Sequence, residues 1–244
     1  RFERVSLDRT GPGGGALHVL DDVSTEWLLD GVRCVVGPSG SGKSTLLRLC
    51  NRLDVPTSGR VLFDGEDLAD VDPLVLRRRV GMVFQRVTLF AGTVGDNFAV
   101  ARPDVSEDES AAALRRVDLA ADLLDRQAGE LSGGEGQRVC LARTLLTDPE
   151  VVLMDEVTSS LDVTSRHEIE HLAHDLTHQG IGVVWVTHDL AQAQRLASSI
   201  TVVRGGKVLD DVDAELERVV ALGGTVTEQK IPLPHIGWIA HCAD

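Results

Sequence analysis

Tyrosine is missing from this chain of 244 residues, and aromatic side chains make up only 3% of it. None of the Phe, Trp or Tyr kind lies between Phe2 and Trp27. Cations are also scarce: 24 Lys and Arg face 38 Asp and Glu, a formal net charge of −14. So acidic a chain argues against broad binding to nucleic acid or anionic lipid, because phosphate-rich partners need a cationic surface. No nucleic-acid partner is expected. The longest apolar runs, residues 151–154 and 181–186, fall far short of the ~20 residues needed to cross a bilayer. No N-terminal stretch reads as a signal peptide, so the expected location is the cytosol, with any membrane role arising through a partner. The four cysteines, Cys34, Cys50, Cys140 and Cys242, have neither metal-ligand nor disulfide-framework spacing and are read as reduced thiols. Cys34 sits in an apolar run and is expected to be a small core residue.

What is present suits a buried α/β core, with 43% hydrophobic residues. Val32-Arg-Cys-Val-Val36, Val151-Val-Leu-Met154 and Ile181-Gly-Val-Val-Trp-Val186 are β-rich runs of the kind buried on both faces of a parallel sheet. Each ends in polar residues: Gly37, Asp155, and Thr187 with His188. Ligands of open α/β sheets sit at the carboxyl ends of the strands. Three such strands side by side bring these polar ends to one crevice. Helices are expected over residues 43–52, 106–127 (one or two), 136–147 and 163–179, the last closed by Gly180. Residues 2–30 read as short strands around the glycine-rich stretch 11–15.

Gly37-Pro38-Ser39-Gly40-Ser41-Gly42-Lys43-Ser44-Thr45 fits the phosphate-binding loop pattern between a strand and a helix. Its glycines let backbone N–H groups turn inward around a phosphate, and the helix start adds a positive dipole end. Lys43 supplies charge to the β- and γ-phosphates, Ser44 a hydroxyl to Mg²⁺, and Thr45 reaches the α-phosphate. By itself the loop fits a kinase, a GTPase or an ATPase. Asp155, after four apolar residues, is the expected Mg²⁺ carboxylate, direct or through water. Glu156 beside it is the candidate base that polarises the attacking water. His167, His171, His174 and His178 fall within roughly 60° on one helix face, opposite Ile169, Leu172 and Leu176. They are read as a solvated face, with a weak transition-metal site as the alternative.

The string Leu131-Ser132-Gly133-Gly134-Glu135, followed by Gly136-Gln137-Arg138, resembles the signature motif of the ATP-binding cassette family. Gln85 in Val83-Phe-Gln85 looks like that family's Q-loop glutamine, which touches Mg²⁺ and the attacking water. Ser160-Leu-Asp162 looks like its D-loop, and His188 in Trp185-Val-Thr-His-Asp189 like its switch histidine. The motifs follow the family's order, and the resemblance covers about residues 2–212. It implies a P-loop NTPase core of the RecA-like kind, α/β with a mainly parallel sheet. An N-terminal antiparallel β subdomain and a small helical subdomain, about residues 96–145, go with it. The ATPase domain is expected over residues 1–212; residues 213–244 form a tail with no readable role. ATP with Mg²⁺ is the implied ligand pair. Ser132, Gly133, Gly134, Glu135 and Asp162 are implied to serve the site of a second copy, in a dimer closed by ATP.

The family usually stacks adenine on an aromatic residue before the phosphate loop. The equivalent position here is expected to be Leu7 or Arg9, and GTP is then expected to compete well. Leu89, Phe90 and Val94, after Gln85, are expected as apolar anchors for a membrane subunit. The Thr88-Leu-Phe90 and Trp185-Val-Thr-His-Asp189 strings, and the short lead into the signature, resemble the small cassettes paired with metal-exporting permeases, and also phosphate-import cassettes. The expected work is therefore to power a separate membrane permease from its inner face. The alternatives are a membrane complex that transports nothing, as in cell division or lipoprotein release, and a soluble cofactor-assembly scaffold. Replacing Glu156 by Gln is expected to leave ATP binding intact and slow hydrolysis roughly 10²–10⁴-fold, measured as steady-state phosphate release. Unchanged turnover would rule out Glu156 as the base.

Overall fold

The computed structural model describes residues 1–11 and 14–209; beyond them only the backbone of a few short strands is described. The chain opens with β1 (Phe2–Thr10) and β2 (Ala16–Thr25), longer than the short strands expected, followed by β3 (Val32–Val36) and α1 (Lys43–Leu49). Next come β4 (Ser58–Phe63), β5 (Glu66–Asp67), α2 (Pro73–Arg79) and β6 (Val80–Val83). A helical stretch follows, with α3 (Val94–Ala101), α4 (Glu107–Arg115) and two 3₁₀ turns, Ala121–Asp125 and Ala128–Glu130. The rest is α5 (Gly133–Leu145), β7 (Val151–Asp155), α6 (Val163–His178), β8 (Gly182–Thr187), α7 (Leu190–Leu196), β9 (Ser199–Arg204) and β10 (Lys207–Leu209). In the tail, β11 (Thr225–Val226) pairs with β14 (Cys242–Ala243), and β12 (Ile231–Leu233) with β13 (Gly237–Ile239). Most of the tail expected over residues 213–244 lies outside the described residues, as does the Cys242 side chain.

The main sheet runs β10-β9-β3-β8-β7-β6, parallel except for the β10 edge. Its central strands are apolar throughout because successive residues feed two different cores. Along β7, Val151 and Leu153 face one core while Val152 and Met154 face the other. Along β8, Val184 and Val186 alternate in the same way with Val183 and Trp185. The first core lies under the antiparallel sheet β2-β1-β4-β5, where Val5, Leu7, Leu20 and Val23 meet Leu46, Leu47 and Leu49 of α1. The second lies under α5, α6 and α7, with Val139, Ile169, Leu172, Leu176 and Leu196. Each such fully buried side chain contributes about 1.5–3 kcal/mol. The Cys34 thiol is wholly buried, and desolvation pushes its pKa up to about 12. Cys34, Cys50 and Cys140 are free thiols.

Three helices differ from the sequence expectation for local reasons. α1 stops at Leu49, and Arg52 has turned left-handed at φ 55°. α5 starts at Gly133, three residues earlier than expected, because Ser132 and Glu135 form a capping box: each side chain accepts from the other's backbone N–H. Residues 106–127 form one helix, capped in the same way by Ser106 and Glu109, and then a 3₁₀ turn.

The antiparallel sheet depends on a tight crossing of β1 and β4. Arg4 has φ 49° there, and the register of β1 on β4 shifts between Glu3 and Ser6. Gly59 has φ +78°, and a Cβ on it would lie 2.1 Å from the Arg4 carbonyl oxygen. Gly59→Ala is expected to destabilise the chain by more than about 1 kcal/mol, read from urea unfolding. An unchanged midpoint would show that this crossing carries no strain.

Candidate nucleotide site

The strand register builds the site. Val36 of β3 pairs with Thr187 of β8, and Asp155 of β7 pairs with Val186. Gly37, Glu156 and His188, one residue further on, therefore leave the sheet side by side. At Gly37 (φ +151°) a Cβ would sit 2.0 Å from the Val203 carbonyl oxygen, and at Gly42 (φ +106°) 2.9 Å from that of Val19. Only glycine fits where β9 and β2 press on this loop. Lys43 is buried, and its Nζ donates to the carbonyls of Gly37 and Pro38, each at 2.8 Å. Desolvation lowers its pKa, opposed by Glu156 and Asp155.

Ser44 Oγ donates to Asp155 Oδ1 at 2.7 Å. Burial raises the Asp155 pKa, against the pull of the Ser44 hydrogen bond and of Arg48 and Lys43. Glu156 turns off the strand with φ 48°, and its N–H donates to the Val186 carbonyl at 3.1 Å. Its Oε2 lies 3.2 Å from His188 Nδ1 and accepts from Gln85 Nε2 at 3.4 Å. Gln85 Nε2 also donates to Ser159 Oγ at 3.3 Å. Glu156 thus stands between Gln85 and His188, three residues from distant parts of the chain.

The cleft over the loop is lined by Ser39, Gly40, Gly42, Lys43, Ser44, Thr45, Gln85 and Glu156, and on its far side by Arg9, Leu17, His18 and Val19. Leu7 is not among them. It is 4% exposed and packs into the core beneath the antiparallel sheet, opposite Leu20, so it cannot meet a base. Arg9 does reach the cleft, with its guanidinium held by Asp54 at 2.7 Å. Sequence reasoning expected strands here but missed His18 on β2 as a cleft residue. Antiparallel pairing sets His18 across from Asp8 and Leu17 across from Arg9, and His18 Nδ1 lies 2.6 Å from Asp8 Oδ1. His18 is an imidazole plane in the stretch where Phe, Trp and Tyr are missing. A search of both strands of the hairpin for any flat side chain finds it.

The signature residues stand apart from this cleft. Ser132 and Gly133 are exposed at the start of α5. Gly134 is small for an internal reason: a Cβ there would meet Ser165 Oγ of α6 at 2.5 Å. Glu135 is held by the Ser132 N–H and by Arg126, which lower its pKa. Asp162 caps α6, accepting from the Ser165 N–H at 3.0 Å. Of the expected apolar anchors, Phe90 is half exposed and stacked under Arg143. Leu89 is partly buried against the helical core, and Val94 is fully buried within it, so Val94 is not available to a partner. His167 of the histidine stripe pairs with Glu170. Among the described residues, no group of three or more His, Cys, Asp or Glu is arranged to hold a metal.

Residues 20–159 match the family model described as ABC transporter. The chain is 45% identical over 181 residues to ABC transporter I family member 17 of Arabidopsis thaliana, covering 72% of this chain and 69% of that one. It is 38% identical over 207 residues to the putative ABC transporter ATP-binding protein YjkB of Bacillus subtilis, covering 83% and 82%. A solved dimeric structure of a post-hydrolysis state of the ATP-binding cassette MJ0796 bound to ADP and Pi superposes with a TM-score of 0.75 at 29% identity, covering 85% of this chain and 95% of that one.

His18→Ala is expected to weaken ATP binding by about 1–3 kcal/mol, the worth of a stacked base, and to leave inorganic triphosphate binding unchanged, both by calorimetry. Equal losses for the two ligands would show that His18 does not face the base.

Proposed function

The chain belongs to the ABC transporter family as an ATP-hydrolysing subunit, and we propose that it works as one of two identical cassettes driving a separate membrane permease. The observation that carries this reading is the Glu156 carboxylate set between Gln85 and His188, beside the Ser44–Asp155 pair and the phosphate loop. In this reading the loop amides and Lys43 hold the triphosphate, Lys43 exchanging the Gly37 and Pro38 carbonyls for phosphate oxygens. Gln85 and Glu156 orient a water, and Glu156 takes its proton. A bond forms from the water oxygen to the γ-phosphorus as the bond to the bridging oxygen breaks, releasing ADP and phosphate. His188 holds Glu156 from the other side.

The Ser44 hydroxyl, the Asp155 carboxylate and the Gln85 amide oxygen make a hard oxygen donor set, and the burial-raised Asp155 favours a cation beside it. Mg²⁺ fits these residues, and when bound it supplies neutralising charge to the phosphates.

The second copy is supported by the signature. Ser132 and Gly133 are exposed at a capped helix start, outside the cleft of their own chain. Such a start favours an anion, here the γ-phosphate held by the facing copy, with Gly134, Glu135 and Asp162 around it. The unit proposed to do this spans residues 1–212, with residues 96–145 as its helical subdomain. The half-exposed Phe90 on that side supports a permease contact, and the proposed location is the inner face of the membrane.

ATP is expected to shift the Glu156→Gln chain from monomer to dimer in sedimentation, and Ser132→Arg added to it is expected to abolish the shift. A dimer that survives Ser132→Arg, or a monomer with full ATPase activity on dilution, would overturn the paired arrangement.

A further inference from the structure

The contact between Glu156 and His188 is partly exposed, with His188 57% open to solvent. A single hydrogen bond in water holds two side chains weakly. Beneath it lies a buried polar knot that the catalytic reading does not use. Its centre is Gln192 in the first turn of α7, 2% exposed. Both amide hydrogens and the amide oxygen are taken. Gln192 Nε2 donates to Thr158 Oγ1 at 2.8 Å and to Glu170 Oε1 at 2.8 Å, and its Oε1 accepts from Trp185 Nε1 at 3.3 Å. Glu170 is also buried and is clamped by Arg195 at 3.0 Å and His167 at 3.3 Å.

The connectivity of this knot is specific. Trp185 precedes His188 on β8, and Gln192 follows it on α7, so the bond between them closes the turn that carries His188. Thr158 stands two residues after Glu156, so the second bond ties that turn to the loop carrying Glu156. Glu170 ties both to α6, whose N-cap is Asp162. Arg166 of α6 adds a contact to Asp189, next to His188, at 3.6 Å. A fully satisfied buried amide is costly to displace, because every displaced partner is left unpaired in a low dielectric.

We propose that Gln192 and Thr158 are positioning residues for hydrolysis, which set His188 against Glu156 through the buried bond between them. The inference rests on the reading of Glu156 and His188 as a working pair. It predicts an effect on turnover and none on nucleotide binding, since neither residue lines the cleft.

Thr158→Val removes the acceptor at nearly constant volume, and Gln192→Leu removes all three bonds that meet at Gln192. Both are made in the chain of residues 1–244, alone and with His188→Ala, and steady-state ATPase is measured. If Gln192→Leu does not fold, the milder Thr158→Val carries the test. The expected result is a kcat reduced about tenfold to 10²-fold, the cost of a small misplacement, with KM for ATP within about twofold. In the His188→Ala background the same substitutions are expected to reduce kcat no further, because they act through that residue. An equal loss in both backgrounds, or an unchanged kcat in the folded Thr158→Val chain, would overturn the positioning role alone. A His188→Ala chain that turns over like the parent would instead remove the pairing of His188 with Glu156, and this inference with it.

Discussion

Hydrogen bonds between β3, β8 and β7 pair Val36 with Thr187 and Asp155 with Val186. Everything chemical in this molecule hangs from that register. A parallel sheet stops its strands together, so three loops leave one edge carrying a phosphate loop, an acidic pair and a histidine. A one-residue slip in any strand would turn its side chains to the opposite core and move its loop out of line. The two cores oppose such a slip, since each strand has apolar residues committed to both faces.

The same burial that holds the sheet prepares the site. Asp155 sits at the end of a fully buried strand, and desolvation raises its pKa. Lys43 is buried under the loop, where desolvation lowers its pKa and loop carbonyls occupy its ammonium. Each buried charge is held mainly by neutral groups, Lys43 by the Gly37 and Pro38 carbonyls and Asp155 by the Ser44 hydroxyl. The positive φ of Glu156 belongs to the same arrangement. Backbone strain of that kind persists only where the surroundings impose it, and the bond from its N–H to Val186 does so.

The helical side of the chain is organised around helix starts. Ser106 and Ser132 each cap a helix with a Glu three residues on, and Asp162 caps α6. At Ser132 the cap leaves an exposed N-terminus beside two glycines. The close approach of α6 at Ser165 explains why Gly134 cannot carry a side chain, apart from any ligand. Packing alone thus asks for glycine there.

Much of this was legible in order and spacing. Residues 37–45 and Asp155 with Glu156 are short patterns whose chemistry is local, Gln85 and His188 stood out by their place in the order of the family's motifs, and the apolar strand runs announced where the polar ends would converge. Boundaries were less legible, because the Ser132 cap is a three-residue signal that glycines around it obscure. The far wall of the cleft was not legible at all. Leu7 points into the core and His18 into the cleft because of the pairing of β1 with β2 and its bulges, which no count along one strand contains. The knot around Gln192 joins residues 158, 170, 185 and 192 from four separate segments, each unremarkable by itself. By itself, then, the sequence determined which groups are available for phosphate chemistry and in what order, since those depend on residue type and near spacing. Only the tertiary structure decided which of them meet and which side chains back them, since that depends on strand register and on burial shared between distant segments.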